Sequence, residues 1–209
     1  MPMKRLHSVL ALSGLLALGA LPGRLPAQTD TALGVVPAAR YPYTAADVHF
    51  ISGMIGHHAQ AIVMAQWAPT HGASKSVLVL CERIINAQTD EITLMDRWLA
   101  VRHQPIPEAK AGPMKMMMNG VAMAMLMPGM LSDEQMKQLD AARGTEFDRT
   151  FLRFMIQHHQ GAMTMVNELF ASAGGGQDDV TYKFASDVYA DQGTEIDRMQ
   201  KMLFQLLGK

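Results

Sequence analysis

Between Thr44 and Ala100, and again between Asp148 and Leu207, apolar residues recur at the three-to-four-residue spacing of helices packed on a core. Each stretch is broken once, by Pro69 and Gly72 in the first and by Gly174 to Gly176 in the second. The halves after the breaks match: Gln88-x-x-Glu91-Ile92-x-x-Met95-x-x-x-Leu99 parallels Gln192-x-x-Glu195-Ile196-x-x-Met199-x-x-x-Leu203. Each stretch therefore predicts a helical hairpin, and two hairpins make four helices. Thr44 with Asp47 has the pattern of an N-terminal cap, and Ser132 with Gln135 that of a capping box opening a shorter lead-in helix. No alternating apolar/polar run of useful strand length is present. The expected class is all-α, a four-helix bundle of two tandem hairpins with one long crossover. The hairpins are placed at 44–100 and 146–209, the crossover and lead-in helix at 101–145, and 44–209 is read as a single domain.

The halves before the breaks also repeat. Met-Ile-x-His-His-x-x-Ala-x-x-Met runs from Met54 to Met64 and again from Met155 to Met165. At about 100° per residue, Met54, His57, His58, Ala61 and Met64 fall within an arc of about 120°. Met155, His158, His159, Ala162 and Met165 do the same, and Met163 widens the second arc. The repeated positions thus form one face, with a small Ala at its centre. On the partner helices Glu91 and Glu195 share the apolar face with Ile92, Met95, Ile196 and Met199. A buried carboxylate is costly unless paired, and the histidines are the obvious partners. That is the arrangement in which a carboxylate orients a ligating imidazole.

The crossover is the second oddity. Met114, Met116, Met117, Met118, Met123, Met125, Met127 and Met130 put eight methionines into 17 residues. Pro105, Pro107, Pro113 and Pro128, with Gly112, Gly120 and Gly129, argue against one continuous helix. Two readings stand side by side: an adaptable apolar plug over the bundle, or a thioether-rich arm in which Met114, Met116, Met117 and Met118 are accessory metal ligands.

The remaining features set the context. Lys4 and Arg5 followed by the apolar stretch Leu6 to Leu21, with Ala27 before a cleavage point, read as an export signal over residues 1–27. Residues 28–43 are expected to be disordered. The apolar stretch is short for a membrane span, so the expected product is periplasmic or secreted, without stable membrane insertion after cleavage. The chain has 18 basic and 19 acidic residues. Without Lys4, Arg5 and Arg24 the balance is 15 against 19, a net charge of −4. No basic run is present, which excludes nucleic acid as an expected partner. Cys81 is the single cysteine, so stability must come from packing, and a small buried apolar role is expected for it. His49, His71 and His103 stand alone and read as surface or structural residues, at most accessory ligands.

Doubled imidazole with thioether is a ligand set for a soft ion, above all Cu(I). The competing reading is structural: His faces can be satisfied by Glu alone, and Met at helical spacing is usually core. Duplication does not separate the two, but Met163 and the Met-rich crossover favour metal. A di-iron or di-manganese carboxylate enzyme requires Glu-x-x-His on two helices, whereas Leu94 follows Glu91 and Arg198 follows Glu195 at that spacing. No nucleophile–base arrangement nominates an enzyme.

Phe147-Asp148-x-x-Phe151-Leu152-x-x-Met155-Ile156-x-His158-His159-x-Gly161-Ala162-Met163-x-Met165, followed by the Gln192 to Met199 pattern, resembles the family known as domain of unknown function 305. The resemblance covers about residues 44–207 and implies a ferritin-like bundle in an exported, Met- and His-rich protein. Some members, the CopM-type proteins, bind copper in the periplasm. For this chain it implies Cu(I), and Ag(I) as its analogue, held by Met155, His158, His159, Met163 and Met165. Met54, His57, His58 and Met64 would form a second or shared site, with Glu91 and Glu195 behind the ligands. Copper ions, and a protein that donates or accepts them, are the implied partners. Gly56 and Ala59-Gln60 depart from the family pattern, so a weaker first site is expected.

Overall fold

In the computed structural model residues 42–118 and 121–208 are described. The expected signal segment, and the expected disordered segment up to residue 41, lie outside them.

Thr44, in extended conformation, starts α1 (Ala45–Gln66) through a capping box. The Asp47 amide donates to the Thr44 hydroxyl at 3.4 Å, while the Asp47 carboxylate accepts from the Thr44 amide at 2.7 Å. The chain turns at Gly72, whose φ of 71° is left-handed, and α2 (Lys75–Val101) returns along α1. The second hairpin is α4 (Gly144–Ala171) followed by α5 (Asp179–Leu207). Asp178 caps α5 by accepting from the Thr181 amide at 2.9 Å. Helix α2 packs on α1, α5 on α4, and α1 crosses α4. The protein is mostly helical.

Two apolar clusters fill the interior. Phe50, Ile51, Met54 and Ile55 from the start of α1 meet Met165, Val166 and Leu169 from the end of α4, with Met95, Trp98, Leu99, Phe184 and Val188. Met64 and Ala65 from the end of α1 meet Phe147, Phe151 and Met155 from the start of α4, with Leu80, Ile84, Ile196 and Met199. Helices α1 and α4 are therefore antiparallel, and the duplicated sequence is realised as an approximate two-fold arrangement. Two aspartates 101 positions apart show it again. Asp47 of the first hairpin accepts from the amide of Gly176, in the turn of the second, at 2.8 Å. Asp148 of the second accepts from the amide of Ser74, at the turn of the first, at 3.1 and 3.2 Å. Both carboxylates are buried, so each hairpin ties down the other's turn.

The crossover departs from the expectation that no strand would form. β1 (Met114–Met118) pairs antiparallel with β2 (Val121–Met125), Met114 opposite Met125 and Met116 opposite Met123. The missed signal is an alternation of Met with Lys and Ala rather than of apolar with charged residues; because Met is apolar yet flexible, its run carries no clean period.

After β2 the chain becomes a strap. Met127, Met130 and Leu131 are buried, each worth about 1.5–3 kcal/mol for its apolar side chain. The Gln60 amide side chain clamps Leu131, accepting from its N–H at 2.6 Å and donating to its carbonyl at 3.0 Å. Gln157 donates to the Gly129 carbonyl at 3.2 Å. Ser132 and Gln135 then form a capping box that opens α3 (Asp133–Ala141). The plug reading describes 127–131, while Met123 and Met125 on the hairpin are exposed. Among the described residues no helix is long and apolar enough to cross a membrane.

Candidate metal centre

The two apolar clusters are separated by a layer of polar side chains. His57, His58, His158 and His159 are all 0 % exposed. The sequence puts each pair on one face, but the tertiary structure gives its members different neighbours. The first histidines, His57 of α1 and His158 of α4, meet across the crossing with ring centroids 3.8 Å apart and planes at 40°. The second histidines turn into their own hairpins: His58 Nε2 lies 2.6 Å from Glu91 Oε2, and His159 Nε2 lies 2.7 Å from Glu195 Oε2. The carboxylates reach the layer from α2 and α5 and are 24 % and 18 % exposed.

These contacts set the tautomers. A carboxylate accepts, so His58 and His159 donate from Nε2–H, which leaves Nδ1 as the ring nitrogen turned away from the carboxylate. The Pro128 carbonyl, 3.0 Å from His57 Nε2, likewise holds that proton on Nε2. Nδ1 of His57, His58 and His159, and both ring nitrogens of His158, are buried with no hydrogen-bond partner among the described residues. An unsatisfied buried polar atom costs roughly 1–3 kcal/mol, and here such atoms are concentrated in one layer.

The rings at the crossing are held neutral. Burial, followed by the charge that His58 would carry, lowers the His57 pKa from 6.5 to about 3, against the opposing pull of the Pro128 carbonyl. Burial, then His57, His159 and His58, pushes His158 well below its ordinary value, and the backbone of His57 pulls weakly the other way. At neutral pH these imidazoles offer lone pairs rather than charge, the form a metal requires.

The methionines bracket this layer. Met54 and Met155 sit one helical turn before His57 and His158, on the same face. Met54 and Met165 join the cluster on one side of the layer, with Met95, Met127 and Met130. Met64 and Met155 join the other, with Met199 and the partly buried Met163. Each side thus takes one bracketing methionine from each repeat, because α1 and α4 are antiparallel. Among the described residues no three His, Cys, Asp or Glu side chains group as a metal site.

The strap also accounts for the departures of the first repeat. Position 60 of the first copy corresponds to 161 of the second. Gly161 lets the strap backbone touch α4: a Cβ there would lie 2.0 Å from the Pro128 oxygen and 2.5 Å from Gly129 Cα. Gln60 at the matching place holds Leu131. One strap cannot contact two symmetric sites alike, so the copies diverge where it lies. Sequence reasoning missed Gln60, Gln157 and Pro128 as supports of the histidine layer, and that mismatched position was the signal.

Other sequence-stated residues fall outside the layer. His71 is buried, its Nε2 2.9 Å from the Asp140 carbonyl and 3.1 Å from Asp140 Oδ1. Cys81 is buried in the apolar core, and burial pushes its thiol up to about 12. Asp178 was not anticipated. It accepts from Trp98 Nε1 at 3.1 Å and Arg102 at 2.7 Å. Burial acts to raise its pKa, but these bonds and that from Thr181 outweigh it and hold the carboxyl down.

Comparison with known proteins places this geometry in context. A DUF305 protein of Streptomyces coelicolor, named as a candidate secreted protein, is 26 % identical with a TM-score of 0.62, over 77 % of this chain and 93 % of that one. A DUF305 fragment from Deinococcus radiodurans is 27 % identical with a TM-score of 0.64, over 79 % of this chain and 99 % of that one. CopM in its Cu(I)-bound form is 27 % identical with a TM-score of 0.57, over 78 % and 98 %, and similar matches are found to its Cu(II)-bound and silver-bound forms. No curated protein matches the chain. The pattern of the domain of unknown function DUF305 matches residues 47–203, three quarters of the sequence, and the chain belongs to that family.

Proposed function

We propose that this is an exported protein that binds Cu(I), and its analogue Ag(I), to buffer copper or pass it to an acceptor protein. The observation that carries the reading is the buried histidine layer with its unpartnered ring nitrogens, above all neutral His158 against neutral His57. Imidazole and thioether suit a soft ion, and the likeness to copper- and silver-bound CopM supports the choice. His57 and His158 would form the inner pair of one shared site drawn equally from both repeats, with Met54 on one side of the layer and Met155 on the other. His58 and His159, oriented by Glu91 and Glu195, with Met64, Met163 and Met165, would complete it. Without thiolates such a site exchanges its ion, as a carrier requires. The reading includes a ferritin-like bundle of hairpins 44–100 and 146–209, and an export signal over 1–27.

A second reading has one observation in its favour. The His58–Glu91 and His159–Glu195 pairs are complete without metal, so the layer could serve only to specify packing. Those pairs also take up the two core-facing glutamates that a carboxylate di-metal enzyme would need.

His158→Leu separates the readings, because it keeps the apolar volume and removes two unpartnered nitrogens. The apo variant should be as stable as wild type or gain about 1 kcal/mol. It should nevertheless lose competition with a chromogenic Cu(I) chelator under anaerobic, reducing conditions. Wild type that cannot compete would leave the packing reading standing.

A further inference from the structure

The histidine layer is wholly buried, so an ion bound there must first meet the protein elsewhere. A cleft of about 300 Å³ opens beside the strap, between the start of α1 and the end of α4. Phe50 and Leu169 form its apolar wall, and Glu168 stands in its lining. The soft donors in it are His49, Met127 and Met165. His49 is exposed and has no hydrogen-bond or ion-pair partner among the described residues. Met127 and Met165 converge: their terminal methyls lie 2.7 and 3.3 Å from the position a Cβ on Gly53 would take, and Met127 Sδ lies 3.4 Å from it. The glycine is what leaves room for both side chains.

We propose that His49, Met127 and Met165 form a second site for Cu(I) or Ag(I), reached from solvent, at the outer end of a thioether route to the histidine layer. The proposal rests on the copper reading above and adds a place where the ion is taken up. Two thioethers and one imidazole satisfy a three-coordinate soft monovalent ion. Met165 belongs to the same buried cluster as Met54, which lies one turn from His57, so thioethers continue inward from the cleft. The site exists at one end of the crossing only. The repeat counterpart of His49 is Thr150, which is buried, and Met127 comes from the strap, which has no counterpart. The strap thus turns a near-symmetric scaffold into one whose two ends differ, with these soft donors gathered at the end where Met127 lies.

The test is a silver titration of the full chain labelled with ¹³C at the methionine methyls, assigned with Met127→Leu and Met165→Leu. It is run on wild type, on His57→Leu/His158→Leu and on His49→Ala. The Met127 and Met165 methyl resonances should move on adding Ag(I) in wild type and still move in the His57/His158 variant. His49→Ala, at an exposed position, should keep the helical signal and weaken the Met127 response. A Met127 methyl that stays fixed while those of Met54 or Met155 move would overturn the cleft site and leave the buried one intact. If no methionine methyl moves, both readings fall.

Discussion

Gly53 and Gly161 are both helical glycines under the strap, and replacing each with Ala should have opposite consequences. Either substitution gains about 1 kcal/mol of helix propensity. At Gly161 the new methyl would sit 2.0 Å from the Pro128 oxygen and 2.5 Å from Gly129 Cα. These are backbone atoms, so the strap must lift. Lifting breaks His57–Pro128, Gln157–Gly129 and both Gln60–Leu131 bonds, about 1 kcal/mol each. The expected net loss for Gly161→Ala is about 3 kcal/mol, before any exposure of Met127 or Met130. At Gly53 the methyl meets only the flexible ends of Met127, at 2.7 Å, and Met165, at 3.3 Å. A rotamer shift costing about 1 kcal/mol accommodates it, so Gly53→Ala should stay within about 1 kcal/mol of wild type. Urea unfolding of the apo proteins at pH 7.5, followed by far-ultraviolet circular dichroism, measures both. Equal stabilities for the two variants would show that the strap is not seated on Gly161.

Further expectations concern the histidine layer and the turns. His57 titrates near 3 in the folded state against 6.5 for free imidazole. The unfolded chain therefore takes up a proton that the fold excludes. Its contribution to stability is complete above about pH 6.5 and falls as the solution is acidified, by about 2 kcal/mol at pH 5. His158 acts in the same direction, so urea midpoints of apo protein should fall between pH 7.5 and 5; a flat profile would mean the rings are not buried as neutral species. Glu195→Gln keeps a hydrogen-bond acceptor but not the charge facing His159, and should weaken Cu(I) by roughly 10- to 100-fold in chelator competition. An unchanged affinity would remove His159 from the ligand set. Asp47→Ala loses the bonds from Gly176 and the Thr44 cap, about 3 kcal/mol, and Asp148→Ala loses only the Ser74 contact, about 2 kcal/mol; thermal unfolding of the pair tests that order.

Helix content, the tandem repeat, the capping residues at Thr44 and Ser132, and the turns at Gly72 and Gly174 could be read from the chain because all depend on neighbours within a few residues. The shared face of Met54, His57, His58 and Met64 is likewise a property of one helix. Where each member of that face points next is not. His57 and His58 are adjacent in sequence, yet one meets His158 and the other Glu91, because α1 lies between α4 and α2 and shows a different side of the same face to each. The antiparallel crossing decides that Met54 pairs with the side of Met165 rather than with that of Met155. The strand pairing of Met114–Met118 with Val121–Met125, and the seating of residues 127–131 on Gly161, arise from contacts that carry no local period. Composition marks the soft donors in this chain; the packing of one strap against two antiparallel helices determines which of them can share an ion.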